Sequence, residues 1–190
     1  SDLGVYGYTD KRPIIYALLK ILQASGDVAL FSNNRHYLRL LEDRASPGHF
    51  NNILISVSDA SPDEMFEEIG YMPDDFDHVV YDLQNTIRDD LDVSLYAKSY
   101  PQGEEEETFL ELLGDYRTIK MAYDQKKEKG TIHLAPTSAL WQTVERIETY
   151  KILFPLPSKT LNKGLSSLLA PLLGIKARTA MQLLTRRWRG

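Results

Sequence analysis

The sequence predicts a single α/β domain with a mainly parallel sheet in three layers. Short apolar runs rich in β-branched and aromatic residues alternate with stretches of helical periodicity, the order expected of strands joined by crossover helices. The runs are apolar at both parities, as strands covered on both faces are. The chain has 190 residues and is 43% hydrophobic, enough for one sizeable core and short for two.

The candidate strands are residues 3–6, 28–31, 53–57, 78–81, 93–97 and 131–134. A helix is expected over 14–23, stopped by Ser25-Gly26, and a second over 35–43 carrying Tyr37, Leu38, Leu40 and Leu41. Ser61-Pro62-Asp63-Glu64 is a helix start: serine as N-cap, proline at the first helical position, glutamate three after the cap. Met65, Phe66 and Ile69 supply its buried side and Gly70 its end. Glu104 to Glu107 open a helix predicted to run to about Asp124, with Phe109, Leu112, Leu113, Tyr116 and Ile119 as its apolar face. This acidic run is a solvated helix start. A further helix begins at Thr137 or Ser138 and runs to Thr149, and Phe154-Pro155-Leu156-Pro157 breaks the pattern.

Net charge is −5, but it is unevenly placed. From Lys159 onward stand seven of the 22 basic residues and none of the 27 acidic ones. The chain therefore divides into an acidic α/β part, 1–158, and a basic helical part, 159–190, expected to pack in the same domain. Such asymmetry suits a tail that meets an anionic surface. The apolar stretch 164–175 is too short to span a bilayer and contains Pro171. The chain has no cysteine, which excludes disulfides, a thiol nucleophile and thiolate zinc sites. A reducing, cytoplasmic setting is expected from the absence of cysteine, and no charged-then-apolar leader is visible before the first strand.

His36, His49, His78 and His133 lack ligand spacing, so no metal site is expected, and no G-x-S-x-G nucleophile elbow is present. The stretch that carries chemistry is Gly7-Tyr8-Thr9-Asp10-Lys11-Arg12-Pro13, between the first strand and the first helix. A phosphate-binding loop needs glycines so that backbone N–H groups can wrap the phosphates, a lysine for the terminal phosphates, and a Ser or Thr for Mg²⁺. Here the glycine lies four residues before Lys11 instead of six, Asp10 replaces the second glycine and Arg12 the hydroxyl residue. Pro13 also removes a donor. A second element, Phe76-Asp77-His78-Val79-Val80-Tyr81-Asp82, is an apolar strand ending in a carboxylate, where nucleotide hydrolases hold Mg²⁺.

The order strand, loop with Lys11, helix, strand, then Phe-Asp-His-Val-Val-Tyr-Asp resembles the MinD/ParA group of P-loop ATPases and their pilus-assembly and partitioning relatives, in which a "yDyvivD" strand follows. Ile152-Leu153-Phe154-Pro155-Leu156-Pro157, with Leu161-Asn162-Lys163-Gly164-Leu165-Ser166 and Leu169-Ala170-Pro171, is similar to that group's closing strand, loop and last helices. The resemblance implies a P-loop NTPase-like fold, with nucleotide contacts at Gly7, Lys11 and Asp82. The departures imply a degenerate site: glycines and the hydroxyl ligand are missing, and the second strand leads into Ser32-Asn33-Asn34, amides where the group carries an acid. Losing such charge stabilisation costs several kcal/mol in phosphoryl transfer, so no catalytic residue is assigned and no cofactor is expected beyond residual ATP and Mg²⁺.

Ala177, Ala180, Met181, Leu184 and Trp188 recur at helical spacing, and Arg178, Arg186, Arg187 and Arg189 add positive charge. This is the composition of a basic amphipathic helix with an interfacial tryptophan. Its candidate membrane or partner contacts are Arg178, Met181, Leu184, Arg186, Arg187, Trp188 and Arg189, and the group it resembles ends in a membrane-targeting helix. A last helix packed on an acidic body has the same pattern. The leading expectation is a positioning, scaffold or regulatory component of a membrane-associated assembly of pilus or secretion type. It would work by homodimer formation and protein partner binding, at the inner membrane face. An ATP-hydrolysing partitioning-type ATPase and a nucleic-acid-binding module acting through the tail are the alternatives.

Overall fold

A computed structural model of the chain describes residues 1–98, 103–115, 118–122, 131–133 and 137–186. Its strands are β1 (Asp2–Tyr6), β2 (Val28–Ser32), β3 (Gly48–Phe50), β4 (Ile53–Val57), β5 (His78–Asp82), β6 (Val93–Lys98), β7 (Thr118–Ala122) and β8 (Thr131–His133). They form one sheet of eight described strands in the order β3-β4-β2-β5-β1-β6-β7-β8. Every neighbouring pair is parallel except β3 with β4, so an antiparallel edge strand closes an otherwise parallel sheet. The helices are α1 (Arg12–Leu22), α2 (Pro62–Ile69), α3 (Glu104–Leu112), α4 (Thr137–Tyr150), α5 (Lys159–Leu173) and α6 (Ala177–Thr185).

Two apolar cores lie on opposite faces of the sheet, because successive side chains of a strand point to opposite faces. Leu3, Val5, Leu30, Ile55, Val80 and Leu95 share one core with α1, α4, α5 and α6. Tyr6, Phe31, Leu54, Tyr81 and Tyr96 share the other with Met65 and Phe66 of α2 and Phe109 of α3. α1 is buried from Pro13 to Leu22, since helices as well as the sheet cover it. Each such fully buried Leu or Ile stabilises the fold by about 1.5–3 kcal/mol. α2 begins with the expected capping box, the Glu64 N–H donating to Ser61 Oγ at 3.3 Å and the Ser61 N–H to Glu64 Oε2 at 3.4 Å.

Three expected elements differ. The helix opened by Glu104 ends at Leu112, followed by a 3-10 turn, Leu113–Asp115, and then β7. Gly114-Asp115 is a turn signal inside the apparent helical period, and Leu112, expected on the buried face, is 60% exposed. Residues 35–43 form 3-10 turns, Arg35–Leu40 and Glu42–Arg44, and no α-helix. The Asn34 side chain starts the first turn by accepting from the His36 N–H at 3.0 Å. Residues 152–157, which the resemblance likens to a closing strand, pair with no described strand and instead make tight turns, the Phe154 N–H donating to the Ile152 carbonyl at 3.1 Å. Pro155 and Pro157 have no N–H to give a ladder, while Leu153 and Leu156 are buried in the core. Tyr116, Leu134 and the expected exposed turn at 124–130 lie outside the described residues.

The basic segment joins the main core. Ser158 caps α5 through its Oγ and the Leu161 N–H at 3.1 Å, and α6 packs on both α5 and α1.

Candidate functional site

The carboxyl ends of β1, β2 and β5 converge because these strands are neighbours in a parallel sheet, and their loops enclose a cleft of about 330 Å³. It is lined by Gly7, Tyr8, Thr9, Asp10, Lys11, Asn33, Asn34, Asp82, Leu83 and Gln84. The sequence singled out Gly7, Lys11 and Asp82, and the fold brings all three together here.

Each is held by the protein itself. Gly7 has φ +133°, and its N–H donates to the Gln84 carbonyl at 3.1 Å. A Cβ at Gly7 would strike the Ala97 carbonyl oxygen of β6, so close backbone approach accounts for this glycine. The Lys11 ammonium donates to the carbonyls of Gly7 at 2.8 Å and Thr9 at 3.4 Å and pairs with Asp82 Oδ1 at 3.4 Å. Asp82 Oδ2 accepts from the Ser32 hydroxyl at 2.5 Å, and Ser32 Oγ accepts from the Asn34 N–H at 2.9 Å. Burial pushes the Asp82 carboxyl above the ordinary carboxylate range, against the pull of Lys11 and Ser32. Its Oδ1 makes no hydrogen bond among the described residues, leaving Lys11 as its balance.

The start of α1 is occupied as well. Asp10 Oδ1 accepts from the Arg12 N–H at 3.1 Å, so a carboxylate of this chain sits where a helix N-terminus would receive an anion. Arg12 turns inward, donating to both Asp10 oxygens at 2.7 to 3.1 Å and to Glu148 Oε1 of α4 at 2.7 Å. Glu148, whose side chain is 3% exposed, also accepts from the Tyr16 hydroxyl at 2.9 Å and from Arg39 at 3.2 Å. Burial alone would lower the Arg12 pKa, but its bonds to Asp10 and Glu148 raise it; burial, then Glu148, raise that of Tyr16. Tyr8 is half-buried against the second core, its hydroxyl accepting from Asn85 Nδ2 at 3.1 Å and its ring meeting Phe109 edge-on.

Tested against the nucleotide its layout implies, this loop fits poorly. The Gly7 and Arg12 N–H groups have internal acceptors, Pro13 has none to offer, the Lys11 ammonium is engaged by three oxygens, and Asp10 puts negative charge beside the site. Asp82, whose Oδ1 is paired with Lys11 but accepts no hydrogen bond among the described residues, also lines an adjoining cleft of about 580 Å³ with Asn33, Ser58, Asp63, Gln84 and Arg88. Arg88 there lies over the Tyr81 ring at 4.2 Å and pairs with Asp63 at 3.6 Å and Asp90 at 2.9 Å. Among the described residues no group of three or more metal-ligating side chains is present.

Of the tail candidates, Leu184 is buried and Met181 half-buried, its sulfur accepting from the Ser166 hydroxyl at 3.6 Å. Ala180, just before them in the stripe, is also buried, so much of this helix's apolar face is covered by α1 and α5. Arg178 and Arg186 are exposed, and Arg187, Trp188 and Arg189 lie outside the described residues. No described helix is long and apolar enough to cross a membrane.

Glu148 was not singled out from the sequence. Its signal is positional: with Leu140, Val144 and Ile147 it completes a core-facing stripe, so a carboxylate there must find buried partners. No protein-family profile, curated protein or solved structure matches this chain.

Proposed function

We propose that this chain is a MinD/ParA-like protein with a degenerate nucleotide site, serving as a positioning, scaffold or regulatory component of a membrane-associated assembly through self-association and partner binding. The observation that carries this reading is the engagement of Lys11 by the Gly7 and Thr9 carbonyls and Asp82. A phosphate-binding lysine must be free to meet the terminal phosphates. Here a strand, loop, helix layout and a neighbouring strand ending in Asp82 are present, while the Lys11 ammonium and the Gly7 and Arg12 N–H groups are bonded within the protein. Lys176, Arg178 and Arg186 remain exposed beside the buried face of α6, which favours a protein or anionic surface as partner at a cytoplasmic membrane face.

Residual binding of Mg·ATP is the second reading, favoured by the 330 Å³ cleft and the Asp82 oxygen that accepts no hydrogen bond among the described residues. Calorimetric titration with Mg·ATP separates the two. The expected result is no binding at millimolar nucleotide that responds to Lys11→Ala; binding abolished by Lys11→Ala would overturn the degenerate-site reading. Sedimentation equilibrium tests self-association, and a monomer at every concentration would remove it. Liposome flotation and salt-dependent DNA binding, each with and without the tail, test the membrane and nucleic-acid versions.

A further inference from the structure

Away from the β1 loop, the 3-10 turn Glu42–Arg44 and the end of α4 enclose a cleft of about 670 Å³, lined by Arg39, Leu41, Asp43, Arg44, Glu145, Glu148, Thr149 and Lys151. We infer that this cleft binds a small hydroxylated phosphate ester, with Arg44 and Lys151 holding the phosphate. This inference does not rest on the reading of the β1 loop.

Three observations carry it. The volume lies within the range of small-ligand pockets. Its cations are unequally engaged. Arg39 is held by Glu148 at 3.2 Å, and Glu148 is itself balanced by Arg12 at 2.7 Å, whereas Arg44 and Lys151 have no ion pair or side-chain hydrogen bond among the described residues. Arginine and lysine placed this way supply charge-assisted donors to a phosphate, and Arg39, oriented by a buried carboxylate, adds its remaining donors.

The third observation is the backbone. Among the described residues, non-glycine positive φ values occur at Asp43 (57°), Arg44 (50°), Asn51 (54°) and Lys151 (54°), and three of these four line this one cleft. Arginine and lysine rarely adopt that conformation, and such positions cluster at ligand clamps. The fold holds both cations in an unfavoured conformation, and neither has an ion-pair or side-chain hydrogen-bond partner among the described residues.

The ligand class follows from the other groups. Asp43 and Glu145 have no ion pair within the described protein, and Thr149 adds a hydroxyl, so hydroxyl groups on the ligand have acceptors beside the phosphate subsite. Arg39 and Arg44 also line an adjoining cleft of about 320 Å³ with Arg35 and His36, which extends the positive surface away from these carboxylates.

The test is an NMR or calorimetric titration of the whole chain with ribose 5-phosphate, ribose and inorganic phosphate, repeated with Arg44→Asn and Lys151→Asn. Asparagine tolerates the left-handed conformation, so each change removes charge while keeping the backbone. The expected result is ribose 5-phosphate bound more tightly than inorganic phosphate, ribose unbound, and each variant weakened about tenfold or more, the loss of one charge-assisted contact. Lys11→Ala should leave this binding unchanged. Absence of binding at millimolar ribose 5-phosphate, or binding indifferent to both variants, would overturn the proposal. Tighter binding of a single-stranded oligonucleotide with the same sensitivity would replace the small ligand with a nucleic-acid backbone.

Discussion

The β1–α1 loop and the cleft beneath the end of α4 both gather cations, yet they treat them in opposite ways. In the loop, Lys11 is closed onto two carbonyls and Asp82, and Arg12 onto Asp10 and Glu148. In the cleft, Arg44 and Lys151 stand on strained backbone with no counter-ion among the described residues. The two regions share Glu148, which binds Arg12 on one side and Arg39 on the other. The difference teaches that availability for a ligand depends on what the fold supplies as a partner. A lysine at the right place in a loop is no evidence of a phosphate site once its donors are satisfied.

The largest effect is expected at the shared carboxylate. Glu148→Ala leaves Arg12 and the Tyr16 hydroxyl without their buried acceptor and frees Arg39. Breaking a buried pair at one partner costs about 3–5 kcal/mol, which for a chain of this size lowers the melting temperature by about 10 °C. Thermal and urea unfolding measure it; a loss below about 1 kcal/mol would mean that Glu148 does not join the two regions.

Asp10→Ala acts on the loop alone. It removes the acceptor of the Arg12 N–H and one of the two carboxylates holding the Arg12 guanidinium, at a cost of roughly 1–2 kcal/mol. It also clears negative charge from the start of α1. Titration with inorganic phosphate should then detect binding at the loop that the unaltered chain lacks. If the loop still ignores phosphate, Asp10 is not what closes it.

Much of the frame was legible in the sequence, and the sites only in part. The strands expected at 3–6, 28–31, 53–57, 78–81 and 93–97 all occur, within a residue or so at their ends, because β-branched and aromatic runs buried on both faces have few other solutions, and the described part of the one expected at 131–134 is β8. β7 was hidden because Leu112, Leu113 and Ile119 continue a helical period across Gly114, and periodicity outweighed the turn signal. β3, three residues long at the edge, has too short a pattern to register. Gly7, Lys11 and Asp82, singled out through the phosphate-loop resemblance, line one cleft because parallel neighbours deliver their carboxyl ends to one place. The closure of Lys11 was not legible, because it depends on carbonyl directions that no side-chain pattern encodes. Glu148 and the Arg44–Lys151 cleft joined residues more than a hundred positions apart, beyond any local spacing rule.

Lys20 sharpens the comparison as a cation with neither a carboxylate nor solvent. Its side chain is buried, its ammonium donates to the Leu153 carbonyl at 2.9 Å, and burial pulls its pKa down to about 8. The unfolded chain, with a lysine pKa near 10.4, binds more protons than the folded one between about pH 8 and 10, so stability rises with pH across that window. At neutral pH the cost of burying the charge is present in full. Lys20→Met should therefore raise stability at pH 7 by about 1 kcal/mol, the lost bond to Leu153 offsetting part of the gain, and should flatten the rise between pH 8 and 10. Identical pH profiles for the two proteins would show that Lys20 reaches water.

The smallest expected effect on folding is at the open cleft, and its smallness is what gives it meaning. Arg44 and Lys151 are exposed and make no internal ion pair among the described residues, so replacing their side chains removes no native interaction. Both backbones lie in the left-handed region, where asparagine is better tolerated, and that relief opposes any loss of packing by the aliphatic stems. Arg44→Asn and Lys151→Asn should each change the unfolding free energy by no more than about 0.5 kcal/mol, as surface substitutions do. Set against Glu148→Ala, this separates the two uses of charge. A cation closed onto the fold costs stability when its partner is lost, while one left open changes only what the cleft can hold. If either asparagine variant unfolds as readily as Glu148→Ala, that residue is tied into the fold and the contrast between the two regions fails.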